Sequence, residues 1–449
     1  MYKYYSHAHV TLAAASSFDC NGGLFNKDSV TRSHLLDVTF GGHDYSLFVS
    51  ETPSEVSDFS AAAAGLGWDV ENKFPLLSRA WAFQERLVSP RVIFFTKTQL
   101  IWDCYAGCAF EEDASRDKDE DDGQVLLLQG LKQGYRKLLQ QPNLSWKDSN
   151  NSAFEWNHVL KAYSHLQLSD FGDRLPAFAA IAQQILSRNY NDPAAEYLCG
   201  LRKRDLHTDL QWMPAGSGIT KPTCKSKKEM PYVAPSWSWA SFPGGITDTA
   251  HYESWMSSTI HLVQDALIFS DTRRFSRVLG GHIVIEGPVV ECSWDSPKLV
   301  DSGTQLEEER PHILRVLPQD NCSQASTSST GAEQAGNNIN DINNDNNNDD
   351  NKRKIIEFMP DYADAYDDIE DKVGGGGPDQ IRVWLLQTWS GAVGGRSGAL
   401  VLYYNRTTDT YTRIGAKLRE RSRFGERSPW GLVENSVFES AKRRVLRLE

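Results

Sequence analysis

A carboxylate held beside an indole is the sharpest chemical feature of this sequence. Glu85 follows Trp81 by four residues, one turn later on a helix. Such a carboxylate can have a raised pKa, or can stabilise positive charge developing on a sugar ring, as carboxylates do in glycoside cleavage. The competing reading is that Glu85 pairs with Arg79, Arg91 or a backbone amide and locks the helix. Arg79 and Arg91 can grip a phosphate through both guanidinium arms, or can partner Glu85 or Asp103. Trp81 and Trp102 can serve as core or as a ligand platform. His7 and His9 flank Ala8, and Cys20 or His34 could join them, but no metal-ligand spacing repeats and no metal is expected. Cys104 and Cys108 lack the second pair that a zinc site needs. Residues 236–241 hold serines with no acid–base partner nearby in sequence. No nucleophile elbow, Walker loop or dinucleotide fingerprint occurs, and the glycines at 374–377 read as a linker.

The elements that must position these groups lie in residues 76–112. A turn of about 100° per residue places Leu77, Val88, Trp81, Leu87, Ala80 and Phe83 on one broad arc, with Arg79, Arg86 and Ser78 opposite. Gln84 falls inside the apolar arc and Glu85 at its edge. A buried polar group without partners costs about 1–3 kcal/mol or more, so both need definite partners. Pro90 cannot continue a helix. Residues 91–96 and 99–104 alternate about Lys97 and Thr98, which predicts a hairpin.

This segment resembles a known family. Arg79-Ala80-Trp81, Gln84-Glu85-Arg86, Ser89-Pro90-Arg91, Gln99-Leu100 and Trp102-Asp103-Cys104 are similar to the R-x-W-x-x-Q-E-R…S-P-R…W-x-C signature of fungal heterokaryon-incompatibility (HET) domains. Two further stretches agree: Tyr5-Ser6-His7-Ala8-His9 through Ala13-Ala14-Ala15 to Gly22-Gly23-Leu24-Phe25, and Pro235-Ser236-Trp237-Ser238-Trp239-Ala240-Ser241, which resembles the S-W-S-W-A-S motif that follows the domain in many such proteins. Tyr197-Leu198-Cys199-Gly200-Leu201 with Leu210-Gln211-Trp212 resembles a Y-x-x-G-L…L-x-W segment of the same proteins. The resemblance implies a non-self recognition protein that triggers cell death, with an unknown protein partner such as an allelic incompatibility factor. The HET fold is related to the TIR domain, some of whose members cleave NAD with one glutamate. An alternative is therefore a TIR-like hydrolase with NAD as substrate, no resident cofactor, and Glu85 as its catalytic residue. Family members carry further elements first, with S-Y-x-W-G and D-x-x-C-I-x-Q motifs that do not occur here. The expectation is thus an N-terminally truncated HET domain, and a non-functional remnant is the third reading.

Composition narrows the classes. The 449 residues can hold two domains. A net charge of −12 argues against general nucleic-acid binding, which needs clustered Lys and Arg. No apolar run approaches the ~20 residues that span a bilayer, and the first ten residues lack a signal-peptide core. Seven scattered cysteines point to a reducing, cytoplasmic setting rather than a disulfide framework.

The expected fold class is α/β: a partial, TIR-like HET domain at residues 1–115, a helical connector at 116–214, and a β-rich C-terminal region at 215–449. In the first part, 10–15 read as a strand buried on both faces in a parallel sheet, and 35–39 and 45–49 as short strands about Gly41-Gly42. Helices are expected at 125–140, 154–168, 173–188 with Asp173 as cap, and 194–210. Strands are expected at 260–268, 282–290, 312–317, 381–388, 399–404, 410–416 and 445–448. Residues 319–378, with Ser/Thr, Asn/Asp, acidic and Gly runs, read as a disordered insert.

Overall fold

The structure is a computed structural model. It describes residues 2–25, 34–49, 55–63, 70–111, 123–140, 150–215, 231–248, 256–295, 312–317, 355–361, 369, 381–391, 395–420 and 433–449. It is a mixed α/β molecule. The chain opens with α1 (Tyr2–His7) and β1 (Thr11–Ala13), then a hairpin of β2 (His34–Phe40) and β3 (His43–Val49) about the left-handed Gly41 and Gly42. Helices α2 (Glu55–Ala63) and α3 (Val70–Lys73) follow, then α4 (Ala80–Val88) and strands β4 (Arg91–Phe95), β5 (Leu100–Cys104) and β6 (Gly107–Phe110). The expected hairpin is present, with Arg91 opposite Cys104 and Phe95 opposite Leu100. β1 joins β4 in parallel, giving the sheet order β1-β4-β5-β6. Its inward face, with Ala13, Val92, Phe94, Ile101 and Phe110, packs on Phe59, Ala62 and Phe74. The expectation of a strand buried on both faces fails here: Leu12 is 53% exposed, because β1 is an edge strand and helices cover only one face.

The helical segment comprises α5 (Gly123–Gln140), α6 (Asn150–Ser164) and α7 (Pro176–Asn189). Pro176 takes the first helical position, where its missing N–H costs nothing. Asp173 does not cap this helix; it ends a 3-10 turn one step earlier and pairs with Arg277. The expected helix at 194–210 is also corrected. The chain instead forms α8 (Pro193–Glu196), a tight hairpin of β7 (Tyr197–Leu198) and β8 (Leu201–Arg202), and α9 (Leu206–Asp209). Cys199 and Gly200 both have positive φ, 47° and 91°, the geometry of a two-residue hairpin turn and incompatible with a helix.

Strand β9 (Trp212–Pro214) pairs with β10 (Ile246–Asp248). The C-terminal sheet then runs through β11 (Met256–Ser258), β12 (His261–Phe269), β13 (Val278–Asp295), β14 (His312–Val316), β15 (Ile355–Met359), β16 (Ile381–Gly391), β17 (Arg396–Asn405), β18 (Thr410–Gly415), β19 (Lys417–Glu420), β20 (Val433–Glu434) and β21 (Lys442–Leu448). The long β13 bonds β12 and β21 along its first half and β16 and β14 along its second, so β13, β21, β18, β17 and β16 close into a ring. Successive residues face two cores. Leu400 and Leu402 join the helices, while Ala399 and Val401 join the second core with Val290 and Trp294.

Two expectations change at this level. The stretch read as a disordered insert contains β15, which pairs with β14 and β19, and Ile356 and Asp361 are buried. The low-complexity runs at 319–354, and 362–378 apart from Ile369, lie outside the described residues. Nor does α4 belong to the N-terminal sheet alone. Ala80, Phe83, Leu87 and Val88 share one core with α6, α7, Trp237, Trp239 and the large sheet. Among the described residues no helix is long and apolar enough to cross a membrane.

Candidate functional site

Helix α4 carries most of the sequence-selected residues, and its start is set by a neighbour. A 3-10 turn at Pro75–Ser78 ends in the extended Arg79, so the helix begins at Ala80 rather than Leu77. The Ala80 amide donates to the Gln167 carbonyl (2.9 Å) and the Gln167 amide to Ser78 (2.7 Å). A helix-terminal donor thus finds its partner in the loop after α6. Ser89 and Pro90 close the far end, where Ser89 Oγ bonds both the Glu85 carbonyl (2.7 Å) and Thr11 Oγ1 (2.8 Å).

Gln84 and Glu85 have the definite partners their positions demand. Gln84 is buried, and its Oε1 accepts from the Ala180 amide of α7 (3.1 Å). Half-buried Glu85 lies beside the Tyr5 hydroxyl of α1. Burial raises the Glu85 pKa, against the opposing pull of the Tyr5 hydroxyl and the Arg79 guanidinium. Burial, with the Glu85 carboxylate beside it, pushes Tyr5 up to about 12. Of the sequence alternatives for Glu85, Arg79 is thus the arginine that faces it. Arg91 instead donates to the His9 carbonyl (3.2 Å). Trp81 is partly buried against the main core, and its Nε1 reaches toward Asp173 Oδ2 at 3.4 Å. Trp102 lies on the outward face of the small sheet, 36% exposed.

A raised Glu85 pKa sets the sign of a pH effect. The folded chain holds this proton more tightly than the unfolded chain. The resulting stability is complete below the ordinary carboxylate range and is lost as pH rises through the folded pKa. Glu85→Gln is neutral throughout. Thermal melts in the acid-to-neutral range are therefore expected to show wild type losing ground to Glu85→Gln as pH rises. A constant difference would show that Glu85 has no folding-linked titration.

Sequence reasoning missed a second cluster beneath α4. Arg86 was placed on the outer arc but is 8% exposed, and its Nη2 donates to the Ala63 carbonyl at 2.6 Å. The helix is covered on two sides, by the main core and by α2, which a single apolar arc cannot reveal. Lys132 of α5 is 2% exposed and meets Asp103 Oδ2 and the carbonyls of Arg86 and Asp103 at 3.3–3.4 Å. Its ammonium also lies 5.8 Å from the Tyr105 ring centre. Burial lowers Arg86 to about 10, lowers Lys132, and raises Asp103 against the pull of both cations. The available signal was the alternation of β5, which puts Asp103 inward beside Ile101, where a carboxylate requires a cation. Cys108 stands opposite Asp103 and Cys104 opposite Gly107, so the two thiols lie on different sheet faces. Burial, and then Asp103, push the Cys108 thiol up, so it is no ready nucleophile.

The serine–tryptophan motif is a clasp. Trp237 and Trp239 are fully buried. Trp239 Nε1 donates to the Gly200 carbonyl (3.0 Å), Ser238 Oγ to Cys199 (2.6 Å), and Trp212 Nε1 to Trp237 (2.9 Å). Ser236 Oγ donates to the carbonyl of Glu449 and accepts from the Arg413 amide (3.0 Å), tying the motif to the last strand. His7 turns its Nδ1 onto the Lys3 carbonyl, and Cys20 is exposed. A small pocket lined by Asn157, Lys161, Asp209 and Trp212 contains none of the motif residues on α4, and Asp209 is already bound by buried Arg202 (2.7 Å).

Comparison of the chain with protein-family models, curated proteins and solved structures found no match in any of the three.

Proposed function

We propose that this chain is a non-self recognition protein of heterokaryon-incompatibility type, acting in the fungal cytoplasm by association with a protein partner such as an allelic incompatibility factor. The observation that supports this reading is how the motif on α4 is used. Gln84 binds α7, Glu85 faces Tyr5 of α1, Arg86 binds α2, and Trp81 reaches the turn before α7. Residues committed in this way hold a platform in one shape. Overexpression of the full chain in a filamentous fungus is expected to impair growth. Trp81→Ala is expected to relieve it, since removing a packed Trp commonly costs about 3–5 kcal/mol, with partial exposure placing this one toward the lower end. Normal growth on overexpression would overturn the proposal.

A second reading is a TIR-like NAD-cleaving hydrolase, favoured by the half-buried, raised-pKa Glu85. Purified chain incubated with NAD separates the two. Cleavage that falls by about 10²–10³ in Glu85→Gln, at a temperature where the variant remains folded, replaces the association reading with the hydrolase one. Under the association reading, NAD is untouched and the substitution acts through the α1–α4 contact alone.

A further inference from the structure

Among the described residues, two apolar faces of the N-terminal part have no element packed on them. The first is the outward face of the four-stranded sheet. Leu12, Ile93, Trp102 and Ala109 stand in one row across all four strands, and Phe95 and Leu100 form the next. Leu12 is 53% exposed, Leu100 38% and Trp102 36%, with Val10 at 36% extending the face beyond the strand. Phe25 meets Phe95 edge-on at 5.4 Å and is itself 79% exposed.

The second face belongs to the β2–β3 hairpin. Alternation and pairing put Leu36, Val38 and Phe40 on one side, with Val38 opposite Tyr45 and Phe40 opposite His43. The other side carries Asp37 bonded to Ser46 (2.7 Å) and Thr39 bonded to Asp44 (2.6 Å). Leu36, Val38, Phe40 and Tyr45 are 41–78% exposed and, among the described residues, belong to none of the three cores. A two-stranded hairpin is marginal in water unless its apolar side packs on something, and contiguous exposed apolar patches of this kind mark interaction sites.

We propose that the chain forms a two-fold dimer in which the β2–β3 hairpin of each copy lies on the outward sheet face of the other. Area favours this arrangement over hairpin against hairpin. Weighting the side chains by their exposure gives roughly 400 Å² for each face, so reciprocal contact removes up to roughly 800 Å² per copy, the size of a standard stable interface. Hairpin against hairpin removes about half as much, below what a stable dimer needs. Two-fold symmetry lets one chain supply both complementary surfaces twice. The proposal does not depend on the incompatibility reading.

The test uses the full chain. Sedimentation velocity across a concentration series is expected to show a dimer. Phe40→Glu and Leu12→Glu are each expected to weaken it on the order of 100-fold or more, since each buries an unpaired charge. Both side chains are exposed in the single copy, so the melts of the dissociated variants stay like that of dissociated wild type. A benzophenone amino acid in place of Phe40, in a mixture of heavy-isotope-labelled and unlabelled chains, is expected to cross-link to residues 10–12 or 93–109 of the other copy. A wild-type monomer at every concentration, a dimer that survives either substitution, or cross-links confined to one copy or joining hairpin to hairpin overturns the proposal.

Discussion

Asp361→Asn is expected to cost about 3–5 kcal/mol of stability, because it leaves a buried guanidinium without its counter-charge. Arg413 has no exposed side-chain surface, and its Nε lies 2.9 Å from Asp361 Oδ2. The same guanidinium donates to the Leu210 carbonyl (2.6 Å) and the Trp212 carbonyl, and stacks 3.6 Å from the Trp212 ring centre. One side chain of β18 thus binds the end of β15, the segment after α9 and the start of β9. Asp361 is held in turn through its amide on the Ile414 carbonyl (2.8 Å). Urea unfolding of Asp361→Asn, Arg413→Met and the double Asp361→Leu/Arg413→Met measures the coupling. The double variant is expected to be more stable than either single one, because an apolar pair leaves no buried charge behind. Equal additive losses would mean that the ion pair is not the operative contact. The same argument divides the low-complexity stretch. A Gly/Ser linker in place of 319–354 is expected to leave the melting temperature nearly unchanged, whereas replacing 319–378 removes β15 and Asp361 together and lowers it by many degrees.

That stretch shows where sequence reading stops. Ile355-Ile356-Glu357-Phe358-Met359 is a good strand sequence, but it is five residues between Asn/Asp-rich and acidic runs, and composition over a sixty-residue window averages it away. Its partners, β14 and β19, are distant in sequence, and β19 had no strong pattern of its own. Longer, strongly patterned segments fared better. The β4–β5 hairpin, α5, α6, α7 and the strands at 261–269, 381–391 and 396–405 lie close to where periodicity puts them. The candidate site divides the same way. The need of Gln84 and Glu85 for partners followed from their place on the arc, whereas the identities of those partners, Ala180 and Tyr5, depended on tertiary packing. Arg86 and Lys132 went unrecognised because a charged side chain on a helix reads as solvated unless the second covering element is known. The hairpin at 197–202 was hidden by its alanine-rich approach, although Cys199-Gly200 carried the turn signal.

Gly200 is where that turn and the serine–tryptophan clasp meet, and Gly200→Ala is expected to destabilise the fold by about 2–6 kcal/mol, the sum of two terms. The first is backbone strain: φ is +91°, a region L side chains rarely adopt, worth about 1–3 kcal/mol. The second is collision, since a Cβ at this position would stand 2.4 Å from Trp239 Nε1. That indole donates to the Gly200 carbonyl itself, and Ser238 holds the adjacent Cys199 carbonyl. Moving Trp239 therefore breaks a buried hydrogen bond and disturbs its edge-on contacts with Tyr163 and Phe178, each 5.8 Å between ring centres. Gly41→Ala isolates the first term, because Gly41 also has positive φ, +61°, but nothing lies within 4 Å of its Cβ position. Urea unfolding followed by tryptophan fluorescence is expected to rank Gly200→Ala as the larger loss, with Gly41→Ala losing no more than about 1–2 kcal/mol. Equal losses would show that the Trp239 contact adds nothing and that the turn alone demands glycine. A large loss at Gly200 identifies the contact between the 197–202 hairpin and the Trp237–Trp239 segment as a joint on which the helices and the C-terminal sheet both depend, since that segment also holds the last strand through Ser236.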